Sequence, residues 1–249
     1  MLPTLSLGSI SLPTYPFFFL LAFWGGLWLA ALQAKRWGLD GDHIYNAGLY
    51  AFLGGIIGAR LWFVLLHWQN YVSNPAQALS LSRSALSLGA GLAVGALIVW
   101  VYLQRNKLTI GAYLDALAPG LALALVIGHI GAFLGGEALG ATATVPWAVE
   151  IAGTARHPVQ LYEAAVSLII LGGLYFNPFR PWPGFQFWLL VAFYGLARLV
   201  LEIFRARPLL IGNGYLLVQV VALAAVIVAL SIMAYNFSRN SAGIHSRGL

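Results

Sequence analysis

Seven stretches of this chain are apolar over the length that a bilayer demands: about 15–34, 46–67, 86–104, 112–134, 160–177, 184–206 and 213–235. A helix needs roughly 20 mostly apolar residues to cross the hydrocarbon core. The expected fold is therefore an all-α integral membrane protein of about seven transmembrane helices, with 1–249 as a single transmembrane domain. Composition closes the alternatives. The chain is 61% hydrophobic and 8% charged, against about 25% charged residues in an ordinary soluble domain, which excludes a soluble globular or a disordered protein. The net charge of +6 is scattered between apolar runs rather than gathered into a patch, so it does not signal nucleic-acid binding. With no cysteine, disulfides, thiolate metal sites, a cysteine nucleophile and a cysteine-linked lipid anchor are all ruled out. No metal or other cofactor is implied. The first run opens without a basic segment and is not read as a cleaved signal peptide.

Lys and Arg in short loops set orientation. With the N-terminus outside, the inner loops and tail hold Lys35, Arg36, Arg105, Lys107, Arg180, Arg239 and Arg247, and the outer loops hold only Arg83, Arg156, Arg205 and Arg207. An outer N-terminus and a cytoplasmic C-terminus are expected. The two outer segments that stand out are about 68–85 and 135–159. The second is long for a connection in a compact membrane protein, and such loops are usually functional.

A charged side chain near the bilayer centre costs roughly 2.5–3.5 kcal/mol on insertion scales, so each one needs a partner or a purpose. The candidates are Arg60, Asp115, His129, Glu137, Glu163, Arg198 and Glu202. The sixth run carries the clearest pattern: Tyr194, Arg198, Glu202 and Arg205 fall within an arc of roughly 80° on a helix. Two arginines flanking one glutamate leave spare positive charge, which suits an anion such as a lipid phosphate. The same residues also fit a plain Arg198–Glu202 pair with Tyr194 as a hydrogen bond between helices. The fifth run opens with His157-Pro158-Val159-Gln160-Leu161-Tyr162-Glu163. Pro158 suits the first helical turn, and helix capping with interfacial anchoring accounts for that string as readily as function does. His129 is a lone histidine in an apolar helix, more often a hydrogen-bonded core residue than a ligand. Gly131/Gly135, Gly136/Gly140, Gly54/Gly58 and Gly91/Gly95 have the spacing of small-residue packing pairs between helices.

At these residues the sequence resembles the bacterial prolipoprotein diacylglyceryl transferases. His157-Pro-x-Gln160-Leu-Tyr162-Glu163 is similar to a hallmark of that family in type and spacing. So are Tyr194-Gly195-x-x-Arg198-x-x-x-Glu202-x-x-Arg205, Ile57-Gly58-Ala59-Arg60-Leu61, and the stretch from Asp115 through Gly128–Gly140 to Pro146-Trp147-Ala148. The resemblance covers most of the chain and implies seven spans with the N-terminus outside, in the bacterial inner membrane. The implied partners are phosphatidylglycerol or another anionic phospholipid and a preprolipoprotein lipobox peptide. The departures are specific. The family signature reads Gly-Arg-x-Gly-Asn-Phe-x-Asn-Gly-Glu; here His129, Ala132 and Gly135 stand for its Arg and two Asn, while Gly128, Gly131, Phe133, Gly136 and Glu137 keep the pattern. The family's third-span His-Gly-Gly falls at Gly89-Ala90-Gly91, without its histidine.

The implied reaction is alkylation of a thiol, with glycerol phosphate as the leaving group. It needs positive charge on the phosphate and a base for the thiol, since the thiolate is the nucleophile. The resemblance implies Arg198, Tyr194, His129 and Glu202 as catalytic candidates, with Arg198 as phosphate clamp and His129 as the remaining base. Arg60, Arg205, Glu137, His157, Gln160, Tyr162, Glu163 and Tyr15 are the substrate-binding candidates. Three readings stay open on the sequence: an active transferase with His129 rewired into the site; a relative that kept the fold and lipid cleft as a lipid-binding or structural subunit with partner subunits in a larger membrane complex; and a haem- or pigment-binding subunit using His43, His67, His129 or His157, disfavoured because His43 and His67 do not sit at one depth.

Overall fold

The computed structural model describes the chain except residues 1, 3, 8–9, 80–85, 152, 207, 212–213 and 246–249. Seven helices, α1 (Thr14–Arg36), α2 (Asp42–Leu66), α3 (Leu88–Arg105), α4 (Ile110–Gly135), α5 (Val159–Phe176), α6 (Phe185–Leu201) and α7 (Leu217–His245), follow in order. All seven segments are long and apolar enough to cross a membrane, the sixth running on to Phe204 through one further turn. The protein is a multi-pass, all-α membrane protein. Their outward-facing Leu, Ile and Val side chains, among them Leu61, Leu65, Ile169 and Val221, are exposed because lipid is their solvent.

Small residues set the packing, since lipid offers no hydrophobic drive between helices. Along α1 and α4, Gly26 meets the backbone of Gly120, and Gly131 and Gly135 meet Phe18 and Tyr15. Between α2 and α3, Gly55 faces Gly91, while Gly54 and Gly58 receive Ile98 and Val94. α4 is the hub, packed on α1, α5 and α6. Its Asp115 has a structural purpose: the buried carboxylate accepts from the backbone N–H of Gly184 at 2.8 Å and of Phe187 at 3.1 Å. A side chain of α4 thus caps the N-terminus of α6, where negative charge is favoured by the helix dipole.

Consecutive helices run in opposite directions, so the start of α1, the ends of α2, α4 and α6 and the starts of α3, α5 and α7 share one end of the molecule. Short antiparallel hairpins precede α1, α5 and α7 there: β1 (Thr4–Leu7) with β2 (Ile10–Pro13), β3 (Val149–Ile151) with β4 (Thr154–Arg156), and β5 (Leu210–Ile211) with β6 (Tyr215–Leu216). The Leu2 N–H donates to Leu134 O at 2.8 Å, tying the first hairpin to the end of α4. At the opposite end lie Lys35, Arg36, Arg105, Lys107, Arg180 and Arg239. Arg180 lies over the Trp37 ring, 3.8 Å from its centroid. Arg83, Arg207 and Arg247, which entered the charge count, lie outside the described residues.

Three expectations are corrected by the geometry. Gly136/Gly140 is not a helix-packing pair: Gly136 closes α4 in a left-handed conformation (φ 75°), and Gly140 lies beyond the helix in strand-like pairing with Arg205. Helical geometry stops at Leu201, with a single tighter turn over Glu202–Phe204, so Arg205 continues the polar stripe from extended backbone. Pro158 sits at the N-cap of α5, one residue before its first turn. The segment 68–85 forms two short turns, Trp68–Tyr71 and Pro75–Leu79, and its last six residues, 80–85, are outside the described ones.

Candidate active site

The shared end carries one buried ion-pair cluster, and the separate sequence motifs meet in it. Glu163 lies in the first turns of α5 and Glu202 just past α6, each 2% exposed. Arg198, one turn before Glu202 on α6, bonds to both carboxylates, through Nη1 to Glu163 and Nη2 to Glu202. Arg205 donates Nη2 to Glu163 Oε1 at 2.6 Å and places Nε 3.4 Å from Glu202 Oε2. His129, two turns from the end of α4, puts Nδ1 3.1 Å from Glu163 Oε2. The ring is not aligned for a linear hydrogen bond there, so that contact is chiefly electrostatic. Its other nitrogen, Nε2, faces the Tyr194 hydroxyl at 3.4 Å.

This arrangement changes the charge arithmetic. On α6 alone two arginines flank one carboxylate. In the fold Glu163 is the second carboxylate, and two guanidiniums balance two carboxylates. The spare charge expected from the stripe is absent inside this cluster while His129 is neutral. Such balance is what lets two carboxylates be buried beside two partly buried guanidiniums, because an isolated ion there would be very costly.

The His157–Glu163 string does two jobs. Glu163 faces the cluster. Its neighbours shape the connecting segment: Gln160, fully buried, donates to Glu137 O at 2.6 Å, and the Tyr162 hydroxyl accepts from Trp147 Nε1 at 2.7 Å and lies 3.3 Å from His157 Nδ1. The rings of His157, Tyr162 and Phe204 stack edge to face. Tyr15 packs against Gly135, at the junction of α1 and α4. Arg60 has another partner set. It is buried, donates to the carbonyls of Ala78 and Gln77 at 2.7 and 2.6 Å, and stands over the Tyr71 ring; these contacts fasten the 68–79 segment to α2.

The histidines proposed as axial ligands do not face one another. His43 pairs with the Tyr102 hydroxyl at 2.8 Å at the opposite end, His67 turns to its own helix at Phe63 O, and His129 and His157 have the separate partners given above.

Backbone pairing places a further arginine beside the cluster. The segment 139–143 runs between the strand of Arg156 and the extended residues after α6. Ala141 N–H donates to Phe204 O at 2.7 Å and Ala206 N–H to Leu139 O at 3.0 Å, while His157 N–H donates to Ala141 O at 2.9 Å. Gly140 is required there, because a Cβ would fall 2.0 Å from His157 O. Arg156 counted in the sequence only as an outer-loop cation. Its position directly before His157 was the one available signal.

Fold and site together define a multi-pass membrane protein with a buried acid–base and ion-pair cluster at one end of its helices. The family model described as prolipoprotein diacylglyceryl transferase matches residues 3–235, and the chain belongs to that family. Proteins named phosphatidylglycerol–prolipoprotein diacylglyceryl transferase are similar to it along most of their length. That of Clostridioides difficile is 28% identical over 220 residues, covering 88% of each chain. That of Thermus thermophilus is 32% identical over 232 residues, 82% of this chain and 83% of the relative. That of Nitratidesulfovibrio vulgaris is 31% identical over 218 residues, 84% and 82% respectively.

Proposed function

We propose that this protein transfers a diacylglyceryl group from phosphatidylglycerol to the thiol of a lipobox cysteine, in the bacterial inner membrane, with the Glu163 end facing outward. The observation that carries this reading is the single cluster formed by Glu163, His129, Tyr194, Arg198, Glu202 and Arg205, assembled from the motifs on which the family resemblance rests. In the reaction the cysteine sulfur forms a bond to the terminal glycerol carbon of the diacylglyceryl group. The C–O bond from that carbon to phosphate breaks, its electron pair stays on the phosphate oxygen, and glycerol phosphate departs.

His129 is the base that accepts the thiol proton. The Glu163 carboxylate beside Nδ1 favours the tautomer with its proton on that nitrogen, and the Nε2 lone pair then faces the Tyr194 hydroxyl, a long contact that an incoming thiol displaces. Tyr194 orients that face of the ring. Arg198 has five N–H donors and gives two bonds to Glu163 and Glu202, so its remaining donors serve the phosphate as charge builds on the leaving oxygen. Glu202 and Glu163 hold Arg198 and Arg205 in place. Arg60, on its geometry, positions the 68–79 segment. The reading as a lipid-binding or structural subunit gains no support from the relatives, which carry the transferase name.

The test is transfer from labelled phosphatidylglycerol to a lipobox-cysteine peptide by the purified protein, with Arg198→Ala as control. Turnover that disappears in the control is expected. No turnover from folded protein that retains phospholipid overturns the proposal.

A further inference from the structure

A cavity of about 330 Å³ opens beside the ion-pair cluster, lined by Ala138, Leu139, Arg156, Arg205 and Ala206. Two of its five lining residues are arginines, and the other three have small or aliphatic side chains. Arg205 has two carboxylate neighbours, but Arg156 pairs with no carboxylate among the described residues. Its Nη1 donates to Gly140 O at 3.1 Å. Its Nε is buried and has no hydrogen-bond partner, whereas Arg205 Nε faces Glu202 Oε2 at 3.4 Å. A buried donor without a partner is rare and costly; the Arg156 side chain as a whole is only partly buried.

The surrounding backbone fixes this pair. Gly140 pairs with Arg205 and Thr142 with Arg156, so one extended segment lies between the backbones of the two arginines. Ala138 stands in the left-handed region (φ 55°), a costly conformation for a residue with a Cβ, and that turn brings the chain round the cavity mouth. Within the cluster the charges cancel, two against two. Arg156 is the cation that this balance leaves over, and it faces the cavity.

We propose that Arg156 and Arg205 form a phosphate pocket for the phosphoglycerol group, held either as the headgroup of the lipid or as the glycerol phosphate released from it. This rests on the transferase reading for its place in the reaction, but its chemistry stands on the cavity alone: two planar guanidiniums with unused donors suit a phosphate bearing two or three acceptor oxygens. Arg156 is a binding residue in this scheme and takes no part in proton transfer.

The full-length protein in nanodiscs tests this with two readouts. The first is retention of phosphatidylglycerol against uncharged diacylglycerol, and competition by sn-glycerol 1-phosphate. The second is KM and kcat for transfer. Arg156→Gln is expected to weaken phosphatidylglycerol retention and raise KM by about tenfold or more, the loss expected for a charge-assisted bond to phosphate, with kcat little changed. Arg156→Lys recovers part of it. Ala206→Glu, which sets a carboxylate in the cavity and leaves both arginines in place, gives the same loss and covers the case in which Arg156→Gln does not fold. Competition by glycerol phosphate that is lost in Arg156→Gln assigns the pocket to the released product as well; competition absent while lipid retention still depends on Arg156 assigns it to the headgroup alone. Unchanged retention and KM in folded Arg156→Gln and Ala206→Glu overturn the pocket while leaving the transferase reading intact. Arg156-dependent retention without turnover keeps the pocket and sinks the transferase reading. Wild-type protein that neither turns over nor prefers phosphatidylglycerol to diacylglycerol sinks both.

Discussion

Replacing Glu163 by Gln changes one oxygen to an NH2 group at the point where three basic side chains converge. In the native cluster Glu163 Oε1 accepts from Arg198 and Arg205 while Oε2 lies 3.1 Å from His129 Nδ1. A glutamine has one accepting oxygen. If that oxygen serves the arginines, the amide NH2 is turned toward Nδ1, and His129 must move its proton to Nε2 to accept it. The base proposed above is then lost without any change of shape. The electrostatic effect adds to this: Glu202 alone remains against two guanidiniums. Removing one partner of a buried ion pair costs about 3–5 kcal/mol; the side chains of Arg198 and Arg205 are 14% and 19% exposed, so the lower end, about 3 kcal/mol, is expected. Wrong-tautomer substitutions in catalytic triads cost on the order of 10⁴ in kcat. His129 makes a looser contact with its carboxylate, so a loss on the order of 10²–10³ is expected by scaling from that case. The assay is transfer to the lipobox peptide below the unfolding midpoint, with kcat and KM measured separately on protein that elutes as the native species. A kcat within tenfold of wild type refutes the tautomer argument, and an unchanged midpoint refutes the ion-pair argument separately.

Asp115→Ala removes the remote cap of α6 and leaves the N–H groups of Gly184 and Phe187 buried; a lowered thermal midpoint, about 2–4 kcal/mol for two bonds to a charged acceptor, is expected, with partial recovery in Asp115→Asn and near-normal turnover at low temperature. Gly140→Ala drives a Cβ to 2.0 Å from His157 O and should abolish folded protein on size-exclusion chromatography. Gly128→Ala meets nothing within 4 Å and should be neutral or stabilising by about 0.5–1 kcal/mol, as for a glycine inside a helix; equal behaviour of the two variants would discredit the packing argument. A reporter fused after residue 249 should read cytoplasmic, and an external reading overturns the orientation taken from the loop cations.

The seven spans were legible because lipid imposes one simple rule, length and apolarity, and each run answers it independently of its neighbours. The helix-packing glycines were legible for a related reason: Gly54, Gly58, Gly91, Gly131 and Gly135 keep a helical period. Gly140 was misassigned because the same spacing continues past Gly136, where the chain has left the helix, and a left-handed residue at the end of α4 has no unique sequence signature. The polar stripe of α6 was visible, but its charge state was not, since Glu163 approaches from α5 and nothing in spacing relates residues 35 positions apart. Asp115 was marked as needing a purpose, yet its partners are backbone N–H groups, which carry no side-chain signal. Arg156 carried no signal beyond its place before His157, because strand pairing across three segments puts it beside Arg205.

Two of the departures from the family pattern, at position 129 and in the third span, belong together in this geometry. The family's arginine at position 129 would set a third permanent cation against Glu163, beside Arg198 and Arg205, and leave three guanidiniums facing two carboxylates. Histidine there can be neutral, which keeps the buried cluster in balance, and a neutral imidazole is also a base. The third-span histidine of the family is missing at Gly89–Gly91, at the start of α3, a helix that packs almost wholly on α2. On the reading proposed here, the imidazole that the third span lacks is supplied from α4 by His129. His129→Arg discriminates between this and simple decay of the site. If the base resides at 129, restoring the family residue in this background should lower turnover further, because it removes the only imidazole in the cluster and adds unbalanced charge. A gain in turnover in His129→Arg would mean that the position still wants an arginine and that the thiol proton leaves by another route.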